Sequence, residues 1–140
     1  MTTTTLRTLT AALIAASLGS ATMTVPAEAG GQVSLTVLPG NAQQAQAMRA
    51  GLGIYALVQG IQNGSIRQYG SNNSAGLKQN GQGNLGIVHQ EGKGHNGTLQ
   101  QNGNGNSFGL FQFGRNTSGH ATQTSGQHGG QTGATFQFGW

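Results

Sequence analysis

Glutamine returns every eleven residues through the C-terminal half of the chain, and an apolar or small residue stands two positions before each copy. The six glutamines are Gln68, Gln79, Gln90, Gln101, Gln112 and Gln123. The column two positions earlier is Ile66, Leu77, Val88, Leu99, Leu110 and Ala121. A fixed period of this kind predicts a repeat architecture, in which each unit buries its face only against its neighbours.

The residues on either side of each glutamine indicate how a unit is built. Because side chains alternate between the two faces of a strand, the glutamine and its apolar partner share one face, and the flanking residues share the other. The first set is nearly constant, which predicts an interior. The second set differs in residue type from copy to copy, for example Arg67 in one and Phe111 in another. It is mostly polar, which predicts a solvent face. Each unit is then a short strand and a glycine-rich corner, and two units make one coil with odd and even strands in separate sheets.

The inner glutamines require hydrogen-bond partners, because a buried amide without them is costly. Identical amides stacked one above another can bond as ladders, since each carries a donor and an acceptor. The asparagines five residues after the glutamine are predicted to form a second ladder at the corners. They are Asn73, Asn84 and Asn106, with His95, Thr117 and His128 at the same phase in the other copies.

The period slips after Gln123. The segment Thr135–Gly139 repeats the pattern of Leu110–Gly114, but three residues late, and we place the extra residues in the loop between Gly126 and Gly133. A seventh strand is therefore predicted beside the fifth copy. It sets Phe136 beside Phe111 and Phe138 beside Phe113 on the outer face. These four phenylalanines either pack only on each other or form a contact with another surface.

Residues 30–64 lack the period and are predicted to be a leader outside the repeat stack. Gln32–Leu38 alternates and is rich in Val and Thr, which predicts a short strand that ends at Pro39 and Gly40. Asn41 can cap a helix that runs to about Gln59, with apolar residues at helical spacing.

Residues 1–29 have the three features of a secretory signal peptide. Arg7 gives a positive start, Ala11–Leu18 is a short apolar run, and Ala27–Ala29 is a small-residue cleavage site. The predicted domains are the signal peptide at 1–29, the leader at 30–64 and the repeat region at 65–140. The predicted fold class is an all-β solenoid of stacked strand–turn–strand repeats.

The amino-acid composition argues against a catalytic or metal-binding site. The chain has no cysteine, and charged residues make up 6% of it, where about 25% is typical. It contains no Asp, and Glu91 is the one carboxylate after the predicted signal, so no acid orients a catalytic histidine. The scattered Lys and Arg do not favour nucleic-acid binding. The histidines are interpreted as solvated or corner residues rather than metal ligands. We therefore predict no catalytic, cofactor or metal site.

The spacing Gln-x-Gly-x-x-Asn followed by the next Gln resembles the curlin repeat of the curli fibres of Gram-negative bacteria. Three copies fit it fully, beginning at Gln68, Gln79 and Gln101. The resemblance covers roughly Ser65 to Gly139. It implies export through the outer-membrane secretion machinery of curli, polymerisation on the cell surface together with other curli subunits, and roles in adhesion and biofilm matrix. It does not separate a major fibre subunit from a nucleating one.

These patterns lead to the hypothesis of an extracellular amyloid-type fibre. The first strand (Ser65–Tyr69) and the last (Ala134–Phe138) are expected to expose unpaired backbone edges that lack Pro and acidic residues. The partner is then a second copy of the same chain, with no nucleic acid and no transmembrane segment in the exported product. The alternative is a monomeric or nucleating cell-surface solenoid that binds polysaccharide or another surface ligand.

Overall fold

The computed structural model describes residues 20–24, 31–125 and 129–140, with side chains from residue 31 onward. Nine strands and one helix lie in this part of the chain. The strands are β1 (Ser20–Thr24), β2 (Gln32–Leu38), β3 (Gly64–Ser71), β4 (Ser74–Asn80), β5 (Leu85–Lys93), β6 (Asn96–Asn102), β7 (Ser107–Arg115), β8 (Ser118–Thr124) and β9 (Thr132–Gly139). The helix α1 spans Ala42–Val58.

Strands β3 to β9 wind into a parallel β-solenoid of about three coils. Sheet A has the order β1-β2-β9-β7-β5-β3, and sheet B has the order β4-β6-β8. Equivalent residues stack in register, so that Gln68 lies beside Gln90 and Gln79 lies beside Gln101. The predicted all-β solenoid, with odd and even copies in separate sheets, is confirmed.

The late C-terminal copy also takes the predicted position. Strand β9 pairs in parallel with β7, and Gln137 lies beside Gln112. Sequence separation between stacked glutamines is 22 residues in the earlier coils and 25 at this step. The stacking register therefore continues across the longer connection between β8 and β9.

The apolar column fills the space between the sheets. Val88, Leu99 and Leu110 are at most 1% exposed and pack with Phe108. Ile66 is 41% exposed, because β3 is the end strand of its sheet and no further coil covers it.

The glycine that stands two residues after most of the glutamines is explained by the corner that it forms. Gly92 has φ +136°, and a Cβ built on it would lie 1.9 Å from the carbonyl oxygen of Gly114 in the next coil. The backbone therefore turns in a conformation that favours glycine and approaches its neighbour too closely for a side chain.

The predicted strand and helix of the N-terminal segment are both present. The Asn41 side chain accepts the Gln44 backbone N–H at 2.8 Å, which caps the start of α1. The helix lies on the outer face of sheet A. Its buried residues Met48, Leu52 and Ala56 share one apolar core with Leu35, Val37, Ile61, Ile87 and Phe111.

The expectation of an open edge on the last strand is wrong. Strand β2 pairs antiparallel with β9, placing Leu35 beside Phe136 and Val33 beside Phe138. Leu35 and Val37 are buried, so the alternation of β2 supplies an apolar face that α1 covers. Strand β2 thus lies outside the repeats in sequence but extends sheet A.

Strand β1 pairs with the other edge of β2 and falls inside the segment predicted as a signal peptide. The features on which that prediction depends, Arg7, Ala11–Leu18 and Ala27–Ala29, lie outside the described residues.

Candidate functional site

The interior amides of sheet A form one continuous ladder. Gln68 donates through Nε2 to Oε1 of Gln90 at 2.8 Å, and Gln90 donates in the same way to Gln112 at 2.7 Å. Gln112 then donates to Gln137 at 2.7 Å. All donors point in the same direction along the stack.

Sheet B carries a matching ladder with the same direction. Gln79 donates to Gln101 at 2.9 Å, and Gln101 donates to Gln123 at 2.8 Å. Gln101 is fully buried and Gln123 nearly so. The two ladders face each other across the interior, because both sets lie on the inner faces of their sheets.

The five ladder amides from Gln90 onward also bind the opposite sheet. Gln90 donates its second Nε2 hydrogen to the Ser74 carbonyl at 2.7 Å, and Gln101 donates to the Leu85 carbonyl at 3.0 Å. Each acceptor is the first residue of a facing strand. The ladders therefore use both amide hydrogens, one along the stack and one between the sheets, which satisfies these buried donors.

A glycine four residues before the glutamine makes room for that cross-sheet bond. A Cβ on Gly97 would lie 2.3 Å from Oε1 of Gln112, and one on Gly119 would lie 2.5 Å from Oε1 of Gln137. Sequence reasoning missed this position. The signal was present, because glycine stands four residues before five of the seven stacked glutamines, at Gly64, Gly86, Gly97, Gly119 and Gly133.

The corner asparagines form the second ladder. Asn84 accepts the backbone N–H of Asn106 at 2.9 Å, and Asn106 accepts the N–H of Gln131 at 2.9 Å. Each side chain also donates to the carbonyl four residues earlier, as Asn106 does to Asn102 at 2.9 Å. Asn73 makes the same pair of bonds in the other corner, to His95 N–H and to the Tyr69 carbonyl.

His95 occupies an asparagine position and reproduces its hydrogen bonds. Its Nε2 lies 3.2 Å from the Glu91 carbonyl, four residues earlier, and its Nδ1 lies 2.7 Å from Oγ1 of Thr117 in the next coil. His95 is 1% exposed, so this corner histidine is buried rather than solvated. His128, the other histidine at this phase, lies outside the described residues.

The four phenylalanines stack in the predicted pairs. The Phe111 and Phe136 ring centroids are 5.1 Å apart, and those of Phe113 and Phe138 are 5.5 Å apart. The outer face that carries them was expected to be exposed to solvent, but in the structure it is largely covered. Phe111 and Phe138 are buried, and Phe113 and Phe136 are partly buried against the core that includes α1.

Tyr55 joins the helix to this face through His89. Its hydroxyl lies 2.9 Å from Nδ1 of His89, and its ring meets Phe111 edge-on. Burial raises the pKa of Tyr55, so the phenol stays protonated and can donate to Nδ1. Burial also lowers the pKa of His89, opposed by Glu91, whose carboxylate lies 3.9 Å from Nε2.

The outer face of sheet B differs in being polar, and no described element covers it. Lys78, Gln100 and Thr122 stand in one stacked row, and the row beside it contains Asn80, Asn102 and Thr124. None of these six side chains is buried.

The described part of the chain offers no metal centre and no membrane-spanning helix. No group of three His, Cys, Asp or Glu residues within it is arranged to hold a metal ion. No helix within it is long and apolar enough to cross a membrane.

Comparison with protein-family models, with curated proteins and with solved structures found no match.

Proposed function

We propose that this protein is a structural subunit of an extracellular, curli-type amyloid fibre that supports cell adhesion and biofilm matrix. The observation that carries the proposal is the polarity of the glutamine ladders. Their donors point from β3 and β4 toward β8 and β9 in both sheets. A stack with this polarity has chemically different ends that complement each other.

The β3–β4 end presents acceptors. Among the described residues, nothing donates to Oε1 of Gln68 or of Gln79, and neither strand has a second neighbour in its sheet. Neither strand contains Pro or an acidic residue, the features that commonly block an exposed edge.

The β8–β9 end presents donors. Gln123 has no further glutamine above it among the described residues, and its Nε2 makes one long bond of 3.4 Å to the Ser107 carbonyl. A second copy that places its ladder acceptors there would continue the interior hydrogen bonds from one molecule into the next.

The test is self-assembly of the purified full chain without a seed. We expect detergent-resistant fibres that give cross-β reflections near about 4.7 and 10 Å, the strand and sheet spacings. A chain that stays monomeric at high concentration over prolonged incubation would contradict the proposal.

A second candidate function is a monomeric or nucleating surface module that binds polysaccharide or another surface ligand. Two observations favour it: β2 occupies the β9 edge, and the two rows of polar side chains on the outer face of sheet B are not buried by any described residue. It predicts a stable monomer that sediments with an insoluble polysaccharide. Replacing Thr122 and Thr124 with Glu should abolish that binding without unfolding the chain.

A further inference from the structure

We infer that β2 and α1 form a releasable intramolecular cap, and that a second copy can pair with β9 only after this cap has left. The inference rests on the proposed fibre function. It concerns regulation of assembly, which the repeats alone do not address.

The cap competes directly with an incoming strand. Six consecutive residues of β2, from Gln32 to Val37, pair with β9. A strand of another copy would need the same backbone edge. The adjacent edge, that of β8 in sheet B, has no partner strand among the described residues, although the Gln32 side chain bonds to the N–H and the carbonyl of Ser118 there. Within the described residues, this end of the stack is therefore closed by a strand in sheet A but not in sheet B.

The cap provides only a weak hydrogen-bond acceptor at the end of the glutamine ladder. Strand β2 runs antiparallel to β9 and places Ser34, not an amide, beside Gln137. The Gln137 Nε2 donates to the Ser34 hydroxyl at 3.4 Å, whereas the ladder bond from Gln112 to Gln137 is 2.7 Å. A parallel strand that carries glutamine at this level would supply a better acceptor, so exchange of β2 for such a strand improves the interior bonds.

The helix contains glycine at two positions where nothing in the fold requires glycine, and this weakens it. A Cβ on Gly51 or on Gly53 would meet no atom within 4 Å, and neither residue has a positive φ. Glycine inside a helix lowers its stability relative to alanine without any steric benefit here. The last two residues of the helix add little burial, because Leu57 and Val58 are 80% and 76% exposed.

Polar contacts from two side chains of α1 and one of β3 fix where the helix docks. Arg49 donates to the Gly105 carbonyl at 2.8 Å, and Tyr55 bonds to His89. At the far end of α1, the Arg67 guanidinium from β3 donates to the Gln59 carbonyl. The helix thus reaches from the β9 side of sheet A to its β3 edge, and its release uncovers the apolar core that it shares with the outer face.

A reversible crosslink gives the sharpest test. Thr36 of β2 and Thr135 of β9 are register partners whose hydroxyl oxygens lie 2.9 Å apart. The chain contains no cysteine, so the double variant Thr36→Cys/Thr135→Cys holds one defined disulfide when oxidised. We expect elongation of wild-type seeds by the oxidised variant to fall at least tenfold and to recover on reduction. A locked chain can add at most once to a seed, because it then presents a blocked β9 edge.

Two variants with opposite expected effects on the rate of assembly complete the test. Gly51→Ala/Gly53→Ala stabilises the helix and should slow unseeded assembly about tenfold. Leu35→Ala/Val37→Ala loosens the cap by removing buried side chains and should speed it by a similar factor. Circular dichroism of each fresh monomer checks that the solenoid is folded.

The outcomes distinguish a failure of the cap from a failure of the proposed fibre function. Equal growth of the oxidised and reduced forms would overturn the cap and leave the fibre function standing. Absence of fibres from both the wild type and the reduced variant would overturn the fibre function, and the cap with it.

Discussion

The two faces of sheet A are stabilised by different chemistry. The inner face combines an apolar column with a ladder in which glutamine repeats at a fixed spacing, and a buried amide such as Gln90 bonds both along the stack and across it. The outer face is an irregular aromatic and aliphatic core closed by α1. A periodic sequence can specify the first because each coil repeats the same environment. The second requires a partner from outside the repeats.

The largest expected effect separates the inside of the stack from its outside. Gln101 and Gln100 are neighbours on β6, but Gln101 is fully buried and Gln100 lies on the outer face of sheet B. Gln101→Glu keeps the side-chain size, removes both donors and buries a carboxylate against the oxygens of Gln123 and Leu85. We expect it to lower the free energy of unfolding by about 3–5 kcal/mol.

Gln100→Glu is the matched control, since the added charge faces solvent beside Lys78. It should change the free energy of unfolding by about 0.5 kcal/mol or less. Urea denaturation followed by circular dichroism measures both. Similar losses from the two variants would show that the ladder is not what distinguishes the inner face.

A smaller effect tests whether the corner ladder depends on the hydrogen bonds or on the residue type. His95→Ala leaves the Glu91 carbonyl and Thr117 without their partner in a buried corner, and should cost about 2 kcal/mol of unfolding free energy. His95→Asn restores the residue found in other copies and should cost about 1 kcal/mol or less. An asparagine variant as unstable as the alanine variant would mean that ring packing, not bonding, stabilises this corner.

The smallest effect is a pH dependence of stability that arises at His89, beside the helix core. Burial lowers the pKa of His89 below its ordinary value, so the folded state binds a proton less readily than the unfolded state. The stability due to this difference is fully present above about pH 6.5 and is lost as the pH falls through the lower, folded-state pKa.

Unfolding of the wild type and of His89→Gln should be compared at about pH 7.5 and pH 5. The wild type should lose more stability on acidification than the variant, which retains His95 and His120. An equal loss would mean that helix docking is insensitive to the charge on His89.

The inner face could be predicted from the sequence because register and burial repeat with the period. The glutamine and apolar columns, the winding and the late C-terminal strand all follow from phase alone. The cross-sheet bonds could not be predicted, because they depend on where each strand begins relative to the strand that faces it.

The covered outer face was missed although its signal lay in the sequence. Sorting the outward residues by odd and even copies separates His89, Phe111 and Phe113 in sheet A from Gln100 and Thr122 in sheet B. One face is thus aromatic and the other polar, which marks the aromatic face as one that needs a cover. Which segment covers it, and that β2 pairs antiparallel with β9, depends on contacts between residues about a hundred positions apart, such as Thr36 and Thr135.

Strands β3 to β9 are odd in number, and this sets the symmetry of any head-to-tail array of the molecule. The winding starts and finishes in the same sheet, so sheet A ends one level above sheet B. A following copy that continues the winding must begin above β8, in the other sheet. Successive copies are then related by a rotation of half a turn about the long axis, a two-fold screw. The outer faces of sheet A would alternate between opposite sides of the filament, with an axial repeat of two molecules.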